Sequence, residues 1–198
     1  MVMLVLRTCP LYAAHRRLVH SWDEKMLPAL TLVLGGAASG KSQWAESLIL
    51  NSGLSPVYLA TSRIWDDEMQ AKVDLHKARR GTEWVTVDAS NGVEDGLAAA
   101  KEGQSVLLDC ATMWLANVMM DDADLIEGQT ALMGALDTCA APVVVVTNEV
   151  GQGIVPENAL ARRFREAQGR LNIALAAQAD TVWHVLAGLP QLRKGDAP

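Results

Sequence analysis

The run Gly35-Gly36-Ala37-Ala38-Ser39-Gly40-Lys41-Ser42 has the spacing G-x-x-x-x-G-K-S/T, and each residue type in it has a chemical task. Glycines let the backbone turn tightly and aim successive N–H groups at phosphate oxygens. A helix opening at Lys41 adds partial positive charge from its N-terminus. The Lys41 ammonium reaches the β- and γ-phosphates of a nucleoside triphosphate, and the Ser42 hydroxyl is a ligand for Mg²⁺. The alternative, a glycine-rich turn that binds nothing, is disfavoured because the run follows an apolar strand and opens a helical pattern. Such a loop also needs a carboxylate at the end of a neighbouring strand. Asp109, closing Val106-Leu107-Leu108, fills that place, with capping of the following helix as the alternative reading.

A second chemistry centres on His76, which is followed by Lys77, Arg79 and Arg80. An imidazole amid cations can attack phosphorus while its neighbours neutralise phosphate oxygens. On chemistry alone, a solvated basic helix end favoured by the helix dipole explains the same residues equally well. His184, inside an apolar strand pattern, reads as a core histidine, and His15 and His20 fall in the first stretch of the chain.

These groups must be positioned by strands and helices that alternate. Strand patterns cover Leu30–Leu34, Val57–Ala60, Trp84–Val87, Ser105–Asp109 and the β-branched run Val143–Val146, with Thr181–Leu186 as the last strand. Helical patterns cover Lys41–Leu50, a stretch capped by Asp66 or Asp67 and reaching about Arg79, Val93–Lys101, Met113–Met119 and Asp124–Cys139. A long helix after Pro156 carries the stripe Leu160, Phe164, Ala167, Leu171 and Leu175. This alternation predicts an α/β fold of the P-loop NTPase type, three-layered, with a mostly parallel doubly wound sheet. Asn148 and Glu149 end a central strand, where open α/β sheets place ligands, and suit a substrate or architectural role. Arg162, Arg163, Arg165 and Arg170 read either as a surface facing a ligand or subunit or as the wet side of their helix.

The chain has 198 residues, a net charge of −6, 50% hydrophobic and 20% charged residues. That mix suits a folded core, and an acidic balance argues against nucleic acid as a partner. The three cysteines, Cys9, Cys110 and Cys139, have neither zinc-like spacing nor an even count, which fits a reducing cytoplasm. No apolar run reaches the length of a membrane span. Residues 1–26 read as an N-terminal extension, a tail with neither a good signal peptide nor a clear targeting helix, and Met26 is an alternative start. Residues 27–198 read as one domain.

The segment from about Leu30 to Lys194 resembles the bifunctional adenosylcobinamide kinase/adenosylcobinamide-phosphate guanylyltransferase family of cobalamin biosynthesis. The resemblance is carried by Gly35–Ser42, Ala60-Thr61-Ser62, Asp66-Asp67-Glu68-Met69, the stretch from His76 to Arg80 before Trp84, Val106–Asp109, and Thr147–Asn158 with Ala161-Arg162 and Phe164-Arg165. It implies that a nucleoside triphosphate, ATP or GTP, phosphorylates adenosylcobinamide. GTP then gives its GMP to a histidine, here His76, which passes it to the phosphorylated cobinamide to make adenosylcobinamide-GDP. The resemblance puts nucleotide contacts on Gly35, Gly36, Ala37, Ala38, Ser39, Gly40, Lys41, Ser42, Ala60, Thr61, Ser62, Lys77, Ala78, Arg79, Arg80, Asp88 and Asp109. It also implies Mg²⁺ and a homo-oligomer, expected to be a trimer.

The chain departs from the family at Ala38, where arginine is frequent, and at Asp88 and Asp109, where glutamate is common. Leu75 stands where some relatives carry a second histidine. Two other readings compete: a P-loop small-molecule kinase without nucleotidyl transfer, and a nucleotide-binding regulatory module. Neither needs a nucleophile at His76.

Overall fold

The computed structural model describes residues 27–64, 66, 67, 70, 71, 74 and 80–197. His76, Lys77, Ala78, Arg79 and the extension over residues 1–26 lie outside the described residues, as do Met69 and Val73 of the expected helix; Asp67, Gln70, Ala71 and Asp74 are helical.

The described strands are β1 (Leu30–Gly35), β2 (Ser55–Ala60), β3 (Val85–Asp88), β4 (Gln104–Asp109), β5 (Val143–Asn148), β6 (Thr181–Leu186) and β7 (Leu189–Lys194). They form one sheet in the order β3-β2-β4-β5-β1-β6-β7. Every pairing is parallel except that of β7 with β6. The helices whose bounds fall within the described residues are α1 (Lys41–Asn51), α2 (Glu94–Ala98), α3 (Ala111–Met120), α4 (Leu125–Thr138) and α5 (Ala159–Gln178).

A parallel sheet must be covered on both faces, and the central strands show it: Val143, Val144, Val145 and Val146 are all fully buried. Strand alternation sends their side chains into two separate cores. Leu32, Leu59, Leu108 and Val145 pack with Leu97, Trp114, Leu132, Leu171 and Leu175 of α2 to α5. Val33, Tyr58, Leu107, Val144 and Val146 pack with Trp44, Leu48 and Ile49 of α1 and with Trp183. Trp44 and Trp183 meet edge to face with centroids 5.2 Å apart. This is the three-layer α/β arrangement expected from the sequence.

Four details differ from expectation. Thr181–Leu186 is not the last strand: Ala187 and Gly188, with φ of 50° and 77°, turn the chain back into β7. Two residues at positive φ make the two-residue turn whose twist suits a hairpin. The sequence hides β7 because Leu-Pro-Gln-Leu-Arg-Lys at a sheet edge has no strong apolar alternation. The helix expected over Val93–Lys101 is only Glu94–Ala98, because Gly92 and Gly103, both at positive φ, bracket it closely. In α5 the buried stripe begins lower than the periodicity suggests. Leu160 is exposed, whereas Gln168 is fully buried beside Leu171 and Leu175. His184 is half-buried, not a core residue.

Candidate active site

Parallel strands bring five residues to one edge of the sheet. Asp88, Ala60, Asp109, Asn148 and Gly35 end β3, β2, β4, β5 and β1. In the ladder, Ala60 pairs with both Asp88 and Asp109, and Gly35 pairs with Asn148. The carboxyl edge of such a sheet is where α/β proteins hold ligands.

Gly35–Ser42 forms the tight connection from β1 into α1. Ala37 and Ala38 stand exposed at its crest, Ala38 at φ 54°. Gly40 is the N-cap of α1 at φ 91°, and no side chain caps the helix, so its first N–H groups are available to an anion. Glycine is required at Gly35 for another reason: a Cβ there would lie 2.5 Å from both the Ser39 Oγ and the Val185 carbonyl oxygen. The loop is also braced from outside the motif. Gly188 in the β6–β7 turn donates its N–H to the Ser39 carbonyl (2.8 Å), and Glu149 donates its N–H to the Gly35 carbonyl (3.0 Å).

The Lys41 ammonium is half-buried and donates to the Gly36 carbonyl (3.1 Å). Burial lowers its pKa, while the neighbouring Cys110 and Asp109 work in the opposite direction. Asp109 is therefore part of the electrostatic surroundings of the loop. It does not cap α3, since Cys110 holds the N-cap position. Its Oδ2 accepts a hydrogen bond from the Tyr58 hydroxyl (3.1 Å). Ser42 and Asp109 offer the hard oxygen donors that suit Mg²⁺, which takes one or two protein oxygens and completes its shell with water and phosphate. Among the described residues no three His, Cys, Asp or Glu side chains gather into a metal cage.

The β2 side of the edge is held by side chains. Thr61 is fully buried; its hydroxyl accepts from the Cys110 N–H (2.8 Å) and donates to the Cys110 carbonyl (2.9 Å). Asn117 donates to the carbonyls of Thr61 (2.8 Å) and Ser90 (3.0 Å). Arg63 forms a bidentate pair with Asp121 (2.6 and 2.7 Å) and donates to the Ser90 carbonyl (3.0 Å). Ser62 lies half-buried between these anchors. Asp88 is exposed and accepts from the Ser90 N–H (2.9 Å). The Arg80 guanidinium lies over the Tyr58 ring, 3.5 Å from the centroid.

A buried polar network fixes the end of β5. Gln168 donates to Thr147 (3.0 Å) and Asn172 (2.9 Å), Thr147 donates to Asn172 (2.7 Å), and Asn172 donates to the Asn148 carbonyl (3.1 Å). Arg162 and Arg165 donate to main-chain carbonyls of the loop after β5, including Pro156 and Ile154 (3.0 Å each). Their guanidinium groups are thus engaged in shaping that loop, while Arg163 is exposed and Arg170 pairs with Glu166. With Ile154 96% exposed, the loop presents an apolar tip at the edge.

The structure thus brings together Gly35–Ser42, Ala60–Ser62, Arg80, Asp88 and Asp109 at one edge; the residues from His76 to Arg79 lie outside the described set. Sequence reasoning missed Tyr58, Arg63, Asn117, Asp121, Gln168 and Gly188. Only one carried a usable signal: a buried-type position in α5 occupied by glutamine interrupts an apolar stripe, which marks a polar partner on the facing strand.

Residues 31–192 match the family described as cobinamide kinase / cobinamide phosphate guanyltransferase. The chain is 42% identical over 176 residues to the bifunctional adenosylcobalamin biosynthesis protein CobU of Escherichia coli (strain K12), covering 81% of this chain and 97% of that one. It is 38% identical over 168 residues to the bifunctional adenosylcobalamin biosynthesis protein CobP of Pseudomonas aeruginosa, covering 83% and 97%. A solved protein from Pyrococcus horikoshii OT3 superposes with a TM-score of 0.52 at 9% identity, over 88% of this chain and 90% of that one, and shares the fold alone. With a family match over most of its length and relatives near 40% identity across four fifths of it, the chain belongs to the cobinamide kinase / cobinamide phosphate guanyltransferase family.

Proposed function

We propose that both halves of this bifunctional activity, kinase and guanylyltransferase, run at the carboxyl edge of the sheet, within one domain spanning residues 27–198. The observation that carries the reading is the Gly35–Ser42 cradle, with the half-buried Lys41 lying within the electrostatic reach of Asp109. The uncapped N-terminus of α1 and the loop N–H groups hold the triphosphate, and Lys41 neutralises the β- and γ-phosphates. Ser42 and Asp109 would hold Mg²⁺, which supplies further charge neutralisation on the phosphates.

In the kinase half, the hydroxyl oxygen of adenosylcobinamide attacks the γ-phosphorus of ATP or GTP, its proton is released to water, and the nucleoside diphosphate departs as the β,γ-bridging P–O bond breaks. Positioning and electrostatics account for most of the rate in such transfers. In the transferase half, a neutral His76 nitrogen attacks the α-phosphorus of GTP and pyrophosphate leaves. A phosphate oxygen of adenosylcobinamide phosphate then attacks the same phosphorus, the P–N bond breaks, and adenosylcobinamide-GDP forms. Splitting the transfer through a phosphoramidate replaces one difficult step by two easier ones. Arg80, with Lys77 and Arg79, neutralises the phosphate oxygens during this exchange. Ala60, Thr61, Ser62 and Asp88 form the nucleotide-facing rim. Thr61 is fully buried and shapes that rim from within, its hydroxyl engaged with Cys110 and its carbonyl with Asn117. The working form is a cytoplasmic homo-oligomer, a trimer in this reading. Among the described residues no helix is long and apolar enough to cross a membrane.

The test is covalent labelling with α-labelled GTP and Mg²⁺ in wild type and His76→Ala. The expected result is an acid-labile, base-stable label that the substitution removes. Folded wild type that binds GTP but takes no label overturns the histidine route.

A further inference from the structure

We propose that Tyr58 is a positioning residue shared by the two halves of the site, its hydroxyl orienting the Asp109 carboxylate and its ring seating the Arg80 guanidinium. The inference rests on the assignment of Asp109 and Arg80 to the nucleotide site proposed above.

Tyr58 lies on β2, opposite Leu107 of β4 and Thr86 of β3, and only 6% of it is exposed. A phenol buried in the α1-side core is unfavourable unless its hydroxyl is paired. Here it donates to Asp109 Oδ2 at 3.1 Å. That bond takes one carboxylate oxygen from the protein side and fixes the rotation of the group.

The ring does separate work. Trp84 packs edge-on to it, with centroids 6.3 Å apart and planes at 81°, and the Arg80 carbon Cζ sits 3.5 Å from its centroid. A planar cation stacked on an aromatic face is held in place without using its N–H donors. In Arg80 the Nη1 atom is buried and has no hydrogen-bond partner among the described residues. A buried guanidinium nitrogen left without an acceptor is unfavourable, and a phosphate oxygen is the acceptor it best fits. One tyrosine therefore links the carboxylate beside the P-loop to the last cation of the stretch that carries His76.

Tyr58→Phe and Tyr58→Leu separate the two tasks. Affinity for GTP is measured by titration with Mg²⁺ and with Mg²⁺ removed, alongside the thermal midpoint. The phenylalanine variant keeps the stack and loses the bond to Asp109. It is expected to reduce the Mg²⁺-dependent gain in GTP affinity by about fivefold, the effect of one ordinary hydrogen bond, with affinity unchanged when Mg²⁺ is absent. The leucine variant also removes the aromatic face and is expected to weaken Mg²⁺-free binding by about fivefold more. A purely architectural tyrosine would lower the midpoint and shift both affinities together, and that result overturns the inference. If the leucine variant does not fold, Arg80→Gln replaces it. Asp109→Asn and Arg80→Gln in wild-type background also separate the two levels of the argument. If both bind GTP as wild type does, the site reading fails and the inference with it. If both weaken binding while the Tyr58 variants do not, the inference alone fails.

Discussion

The two halves of the carboxyl edge are held in different ways. Around the P-loop that follows β1 the main chain fixes itself: Gly188 bonds Ser39, Glu149 bonds Gly35, and glycine at position 35 leaves no room for anything larger. Around β2 and β4 the fixing is done by side chains, with Thr61, Asn117, Arg63 and Tyr58 each reaching across 27 to 58 residues of sequence. A phosphate cradle needs an immobile array of N–H groups, which backbone bonding supplies. The opposite half must place individual charged groups, and side-chain contacts can adjust those one at a time.

If that division is right, substitutions on the P-loop half should damage binding and chemistry most. Lys41→Ala is expected to lower kinase kcat/KM by about 10²–10³, the range for losing one preorganised charge-stabilising donor. Its thermal midpoint should not fall, because burial already disfavours the ammonium. Steady-state kinetics and a melt decide it; retained activity within tenfold would remove Lys41 from the chemistry. Next in size is Gly35→Ala, which forces a methyl group against a backbone carbonyl and should destabilise by about 1–3 kcal/mol as overpacking does. Gly36→Ala, with nothing within 4 Å of the added carbon, should leave stability nearly unchanged. Equal melting curves for the two variants would refute the steric account of the loop.

On the side-chain half, Thr61→Val preserves shape and removes the hydroxyl that bonds both Cys110 backbone groups. The Cys110 carbonyl keeps its bond from the Trp114 N–H, so one buried N–H is left unpaired. The expected loss is about 1–3 kcal/mol of stability by chemical denaturation. GTP affinity should fall less than it does for Lys41→Ala. A fall as large as that would mean that the hydroxyl itself meets the nucleotide.

The same contrast explains what was legible beforehand. The cradle, the strand before it and the helix after it are contiguous, so their chemistry is written in eight adjacent residues. The five parallel strands before β6 and their helices follow from apolar periodicity, which is a local signal too. Tyr58 looked like one more apolar residue of Val-Tyr-Leu-Ala, and Asn117 like a polar interruption in α3. Their partners lie 51 and 56 residues away with no spacing rule to join them. Gln168 went unnoticed because a helical stripe tolerates one polar member unless the facing strand is known to offer Thr147. The edge strand β7 is hidden because four of its six residues are exposed and none is fully buried, so no apolar face marks it.

The smallest effect belongs to the Arg63–Asp121 pair, which ties the segment after β2 to the end of α3 and is exposed to solvent. The hydrogen bond from Arg63, aided by its charge, holds the Asp121 pKa below 3.8, its ordinary value. A carboxylate with a depressed folded pKa contributes stability that is fully present above 3.8 and is lost as pH falls through the lower folded value. Solvent screening keeps such a pair weak. Asp121→Asn should therefore melt slightly below wild type near neutrality, and the two curves should converge once the pH drops well under 3.8. Melts across that range test it, with added salt narrowing the neutral-pH gap as screening requires. A gap that survives in acid would mean that the neutral carboxyl still anchors Arg63 by geometry alone. The division between a main-chain half and a charge-adjusted half would then have to be redrawn at this point.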